Sequence, residues 1–213
     1  MLLKTLMKQK NSLTTLSEDT TLETALSVLE DSDFRCVPIL DKTGTFFRGN
    51  IYKMHIYRHK SRGGDMQLPV TTLLKNSTKF ISINAAFFTV FFAIKDLPYI
   101  AVLDENSQFS GILTHTKLLS MLADGWNIHT GSYVISVLST DDRGSLVKMT
   151  KAIAKYTPIN NCLTLGLTAS SEFRQILFTL PAEVNKRMLD KIIHNLHKKG
   201  FEVTEIEDLH TKF

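Results

Sequence analysis

The chain is poor in the residues that staple, ligate or catalyse. Only two of its 213 residues are cysteines, Cys36 and Cys162, far apart in sequence. That spacing excludes a disulfide framework and a cysteine metal knuckle. It reads instead as two buried small apolar side chains in a reducing compartment. The seven histidines are scattered, and none stands at metal-ligand spacing. There is no His-Glu-x-x-His, no P-loop, no nucleophile elbow and no clustered pair of carboxylates. The sequence therefore predicts a non-enzymatic protein with no catalytic residue, no metal and no cofactor. Long apolar runs are missing too. The longest, Phe87 to Ile94 broken by Thr89, falls far short of the ~20 residues a membrane span needs. The start Met1-Leu2-Leu3-Lys4 lacks the pattern of a signal peptide. A cytoplasmic protein without a membrane partner is expected. The formal net charge of +4 favours anionic partners only mildly, and a nucleic-acid partner is not expected. A hydrophobic fraction of 43% is ample for a core.

What the chain does have is a repeat. Val37-Pro38-Ile39-Leu40-Asp41 followed by Gly49-Asn50-Ile51-Tyr52 returns as Ile100-Ala101-Val102-Leu103-Asp104 followed by Gly111-Ile112-Leu113-Thr114. The aspartates are 63 apart and the glycines 62 (104 − 41 and 111 − 49). A fixed period means one structural unit used twice, and clefts between such units are common ligand sites.

Both copies read as β-α-β-β-α. In the first, Leu13 to Leu16 is extended. Thr20-x-x-Glu23 fits a capping box, and Leu22, Ala25, Leu26 and Leu29 follow helical spacing. Phe34 to Leu40 and Phe46 to Tyr52 form a hairpin around Asp41-Lys42-Thr43-Gly44, and a helix begins near Met54. In the second, Thr78 to Ser82 is a strand, Ala86 to Ile94 a helix, and Tyr99 to Leu103 and Phe109 to Leu113 a hairpin. A helix then spans Thr116 to Leu122. His59 to Asp65 reads as a loop between the copies, which run over about residues 1–62 and 66–125.

After a connector at 124–131, where Trp126 is expected at a junction, the pattern changes. Ser132 to Leu138 alternates as a strand, and Asp141-Asp142-Arg143-Gly144 turns into a helix with Leu146, Met149 and Ile153 on one face. Ile159 to Leu167 and Phe173 to Leu180 are strands around Thr168 to Glu172. Val184 to Leu196 is an amphipathic helix ended by Gly200, and Phe201 to Ile206 a last strand. The order β-α-β-β-α-β over 131–213 is the ferredoxin-like motif. The exposed face of its second helix bears Lys186, Lys191, His194 and Lys198, which reads as a solvated face.

The "VPILD" and "IAVLD" strands and the "GNIYKMHI" and "GILTHTKL" turns resemble a tandem pair of CBS domains over residues 1–125. The segment "YVISVLSTDDRGSLVKMTKAIAKY" resembles an ACT domain, without the proline that often precedes the glycine of its turn. The expected fold class is α+β, a CBS pair followed by a ferredoxin-like ACT domain, and the ACT resemblance implies a symmetric homodimer.

In that family the strand-to-helix turn usually reads Gly-x-x-Thr-x-x-Asp, and the Asp holds both ribose hydroxyls of an adenine nucleotide. Here Thr114 is kept but Lys117 stands at the Asp position, and the first copy has Tyr52 and His55. Lysine has only donors, so it cannot read a diol but can contact a phosphate. The change fits a nucleotide whose 3′-oxygen is already esterified.

The domain order resembles the cyclic-di-AMP-binding CBS proteins of Gram-positive bacteria that carry an ACT domain and, more distantly, the acetoin-utilisation regulatory proteins. The resemblance implies a second-messenger receptor that binds cyclic di-AMP in a cleft between the repeats and regulates a protein partner. It gathers Ser12, Leu13, Thr14, Arg35, Cys36 and Pro38 opposite Thr114, His115, Thr116 and Lys117. A secondary cleft would hold Tyr52, His55, Arg58, Lys79, Pro98 and Tyr99. An AMP- or ATP-sensing protein and a ligand-free dimeric scaffold are the alternatives.

Overall fold

A computed structural model describes residues 2–140, 142–166 and 174–211. The chain divides into two compact units, Met1–Leu119 and Ser120–Phe213.

The first unit opens with α1 (Leu2–Leu6) and β1 (Lys8–Gln9), then β2 (Leu16–Ser17), α2 (Leu22–Asp31), β3 (Cys36–Leu40), β4 (Phe47–Tyr52) and α3 (Lys53–Ser61). The second copy follows as β5 (Phe80–Ser82), α4 (Phe87–Ile94), β6 (Tyr99–Leu103), β7 (Phe109–Thr114) and α5 (His115–Gly125). The sheets run β2-β3-β4 and β1-β7-β6-β5. In each, the extended leader pairs parallel with the first hairpin strand, and the hairpin is antiparallel.

β3 and β6 are buried at every position because each sheet is covered on both faces. Val37 and Ile39 point to their own helices, joining Leu22, Leu26, Leu29 and Ile56. Cys36 and Leu40 point the other way and meet Tyr99, Ala101, Leu103, Phe109 and Ile112 of the second copy. This seam carries the two-fold relation of the repeat. Phe47 and its equivalent Phe109 stack on each other, with centroids 5.9 Å apart and planes at 16°. Cys36 and its equivalent Tyr99 lie in the same buried cluster. The Tyr99 hydroxyl donates to Asn50 Oδ1 at 2.6 Å, so the buried Asn50 amide oxygen is satisfied across the seam.

The repeated aspartates are turn formers. Asp41 Oδ1 accepts from the backbone N–H groups of Thr45 and Phe46, both at 2.7 Å, and Oδ2 accepts from the Thr43 hydroxyl. Asp104 accepts likewise from Asn106 and Gln108.

Some boundaries differ from the sequence reading. The cap of α2 is Thr21, whose hydroxyl accepts from Thr24 N at 3.2 Å. The N–H of Thr20 goes to Ser17 O and that of Glu23 to Met66 O, so the capping box between Thr20 and Glu23 does not form. α3 continues through Ser61 into the expected loop. Residues 2–9, placed in the first copy by position, serve the second: β1 pairs with β7, Lys8 opposite Ile112 and Gln9 opposite Gly111. Reciprocally, Lys75 of the linker bonds both ways with Asn50, at 2.8 and 2.9 Å. These crossings need the repeated glycines. At Gly49 (φ +145°) a Cβ would lie 3.0 Å from Lys75 O, and at Gly111 (φ +157°) 2.2 Å from Lys8 O.

The second unit comprises β8 (Gly131–Ser139), α6 (Ser145–Ala154), β9 (Asn161–Gly166), β10 (Arg174–Pro181), α7 (Lys186–Lys198) and β11 (Val203–Asp208). Its antiparallel sheet runs β11-β8-β10-β9, the ferredoxin-like order. Ile135, Val137, Ile176 and Phe178 pack against Met149, Ile153, Leu189, Ile192 and Leu196, placing both helices on one face. Trp126 lines a small cavity of this unit with Val134, Leu163 and Leu177. The expected turn at 168–172 and Asp141, Leu167 and Phe173 lie outside the described residues.

Gly111→Ala is expected to destabilise the chain by ~1–3 kcal/mol through its φ and the displaced β1. Gly125→Ala, where a Cβ meets nothing within 4 Å, should be neutral; urea unfolding measures both. The hydrogen bonds at Asp41, that of Phe46 foremost, lower its pKa to about 2. A lowered pKa contributes stability above the ordinary carboxylate range that is lost as pH falls from about 4 towards 2. Asp41→Asn should flatten that part of the stability–pH curve.

Candidate functional site

The repeat brings its two strand-to-helix turns together at one end of the seam. A cavity of about 770 Å³ opens there, and its wall includes Arg35, Tyr52, Lys53, Lys95, Pro98 and His115. By the offsets of the repeat, Arg35 is equivalent to Pro98 (98 − 35 = 63) and Lys53 to His115 (115 − 53 = 62). The backbone repeats the relation: Lys53 N–H donates to Arg35 O at 3.0 Å, and His115 N–H to Pro98 O at 3.2 Å. Met54, Tyr57, Asp96 and Leu97 complete the wall. The first turns of α3 and α5 both border the space, so two positive helix ends meet there. Three full cations, a histidine and one carboxylate face it. Tyr57 is fixed from behind by donating its hydroxyl to Glu30 Oε1, and that bond raises its pKa. The chemistry of this wall suits an anion with flat apolar parts.

A second cavity of about 420 Å³ adjoins it, sharing Tyr52, Asp96, Leu97 and Pro98 and adding Asn76, Thr78, Lys79, Phe80 and Phe92 among others. Asn76 Nδ2 donates to the Tyr52 hydroxyl at 2.7 Å, holding the ring between the two spaces.

The structure groups the candidate residues differently from the sequence reading. Arg35 and His115 of the main group share the first cavity with Tyr52 and Pro98 of the secondary one. Lys79 lines the second cavity. Cys36, Pro38 and Tyr99 are buried in the sheets. Burial pushes the Cys36 thiol up to about 11. Leu13 packs on the seam, and Ser12 donates to Gln9 O at 2.8 Å; with the exposed Thr14, they stand outside the wall of the first cavity. Thr114 caps α5, its hydroxyl accepting from Lys117 N at 3.2 Å. Thr116 and Lys117 are exposed on the first turn of α5, beyond that wall. His55 lies 5.4 Å from the Tyr52 ring, and its Nδ1 is buried without a hydrogen-bond partner. Burial and then the charges of Lys75 and the exposed Arg58 lower its pKa.

Lys53, Met54, Tyr57 and Lys95 were not singled out from sequence. Lys53 was within reach, since the repeat offset maps it onto His115. Lys95 and Tyr57 depend on how two helices approach each other, which no local pattern encodes. Among the described residues no group of three or more His, Cys, Asp or Glu side chains could hold a metal ion. None of the described helices is long and apolar enough to cross a membrane.

Tyr99→Phe removes the donor to the buried Asn50 and is expected to cost ~1–3 kcal/mol, read as a lower midpoint in thermal unfolding of the intact chain.

Residues 4–61 match the family model of the CBS domain. No curated protein matches the chain. Among solved structures it is similar to CbpB in complex with c-di-AMP, at 17% identity and a TM-score of 0.52 over 57% of this chain and 83% of that one. It is similar to a CBS domain-containing protein of unknown function from Bacillus anthracis (24% identity, TM-score 0.51, 57% and 92% covered). It is also similar to CBSX2 in complex with AMP (15% identity, TM-score 0.50, 57% and 96% covered). At these identities the likeness is one of fold: this is an α+β chain whose residues 4–61 match the CBS-domain model and which shares the fold of CBS-domain proteins over 57% of its length.

Proposed function

We propose that the CBS pair is a receptor for cyclic di-AMP, seated in the cavity at the seam, and that binding changes how the chain meets a protein partner. The observation that carries this reading is the wall itself, to which both copies contribute and in which two pairs of positions, Arg35 with Pro98 and Lys53 with His115, are related by the repeat. A ligand with two phosphates and two purines suits a wall assembled from both copies. Arg35, Lys53, Lys95 and His115 supply donors for the phosphates, and Tyr52, Tyr57 and the apolar side chains supply faces for the bases. A cyclic dinucleotide has no free 2′,3′-diol, and Lys117 and His55, at the sequence positions of the family's diol-reading carboxylate, lie outside this wall. The fold likeness to CbpB, whose structure is in complex with c-di-AMP, is in keeping with this ligand. The proposal involves no chemical step. The ligand acts only through its differential affinity for two conformations.

AMP or ATP sensing is the second reading, favoured by the likeness to CBSX2 in complex with AMP. Calorimetric titration with cyclic di-AMP, cyclic di-GMP, AMP and ATP separates them. Saturable binding of cyclic di-AMP near micromolar, about −8 kcal/mol, is expected, with the mononucleotides weaker. Arg35→Ala and Lys53→Ala should each lose ~1–3 kcal/mol. Lys117→Ala, exposed and beyond the wall, should change affinity by less than about threefold. A response to AMP or ATP alone would replace this reading with the second. No response to any nucleotide would leave the scaffold.

A further inference from the structure

The helix layer of the second unit concentrates charge of one sign. Residues 145–155 and 186–199 hold eight lysines and arginines against a single acid, Asp190. The sequence alone gave a solvated face on one helix. The fold adds a second set of cations beside it. α6 and α7 lie together on one face of the sheet, and Asn195 Nδ2 donates to Ala152 O at 2.9 Å. At about 100° per residue, Lys148, Lys151 and Lys155 fall on the flank of α6 that holds Ala152, towards α7. On α7, Lys191 falls on the flank that holds Asn195, towards α6, with Arg187 and Lys198 along the crest. Asp190 falls on the far flank. All six cations are exposed. Among the described residues none of the six has a carboxylate partner in an ion pair, and Lys155 sits 5.5 Å from the Tyr156 ring centroid.

We propose that this two-helix basic layer binds the phosphate backbone of a nucleic acid without reading its sequence. The surface discriminates among polyanions by what it lacks. α6 and α7 contain no Phe, Tyr or Trp, and the adjoining Tyr156 packs on the core, so neither base stacking nor the aromatic anchors usual at protein interfaces are on offer. A helix that lies on a membrane needs its apolar face outward; here that face is spent on the core, and of the large apolar side chains of the two helices only Leu146 and Val147 are exposed. What remains is a double row of mostly lysine point charges, about 10 Å long on α6 and about 16 Å on α7, the requirement of backbone contact and of nothing more specific.

The test uses the full chain and fluorescence anisotropy with a labelled 20-base-pair DNA duplex in two unrelated sequences. A matched RNA hairpin, poly-L-glutamate and phosphatidylglycerol vesicles are competitors, between about 50 and 200 mM salt. Both duplexes should bind within about threefold of each other, with affinity falling steeply as salt rises at a log–log slope of about −3 to −5. The variant K148Q/K151Q/K191Q/K198Q, on exposed positions and checked for unchanged circular dichroism, should bind at least ~30-fold more weakly with a slope shallower by about 3. Lys60→Gln in the first unit should change neither. Displacement by RNA but not by poly-L-glutamate or vesicles supports the proposal and ranks the two nucleic acids. It is overturned if neither nucleic acid binds at the lowest salt, or if the quadruple variant binds unchanged. Preference for poly-L-glutamate would assign the layer to an acidic protein, and preference for vesicles to a lipid surface.

Discussion

Everything in the first unit depends on one contact, the meeting of the two copies through equivalent residues. Phe47 lies on Phe109 and Cys36 shares a buried cluster with Tyr99, so the axis that relates the copies passes through side chains packed among their own equivalents. That contact explains why β3 and β6 have no solvent face, and why their sequences run apolar at every position rather than alternating. It also explains why polar groups in the seam come in satisfied sets, Tyr99 with Asn50 and Tyr52 with Asn76. An unpaired amide there has no water to turn to.

The site is a by-product of the same contact. Two strand-to-helix turns, brought together by the seam, place two helix starts and their cations around one space. Neither copy contains the cavity; it exists because the pairing is nearly symmetric. The departures from symmetry give it character. Where one copy offers Arg35 the other offers Pro98, and where one offers Lys53 the other offers His115. One half of the wall is thereby the more cationic and aromatic, and the other sets Lys95, Asp96 and His115 beside Leu97 and Pro98.

Much of this was legible in the residues. The repeat could be read from two short strings, the strands from their β-branched runs, and the ferredoxin-like order from alternating periodicities. The sequence failed where tertiary geometry decides. Thr20 and Thr21 are equivalent cap candidates until Met66 takes the Glu23 N–H that Thr20 would cap. Cys36, Pro38 and Tyr99 looked like cleft residues because they flank the motif, but strand alternation turns them into the sheets. Lys148 and Lys191 are unremarkable surface lysines until two helices are laid side by side.

The exchange of leaders between the copies bears on how the chain is made. A polypeptide leaves the ribosome from its N-terminus, so β1 emerges before every other strand of its sheet. Its partner is Ile112 of β7, the last strand of the unit. β1 therefore cannot find its place until nearly all of the unit has been synthesised, and the second sheet closes last on its own earliest-made strand. The first copy likewise waits for Lys75, which is made only after its own strands are complete. The unit of duplication and the unit of folding are thus different objects: the sequence repeats twice, but the chain has only one opportunity to close, and it closes as a whole.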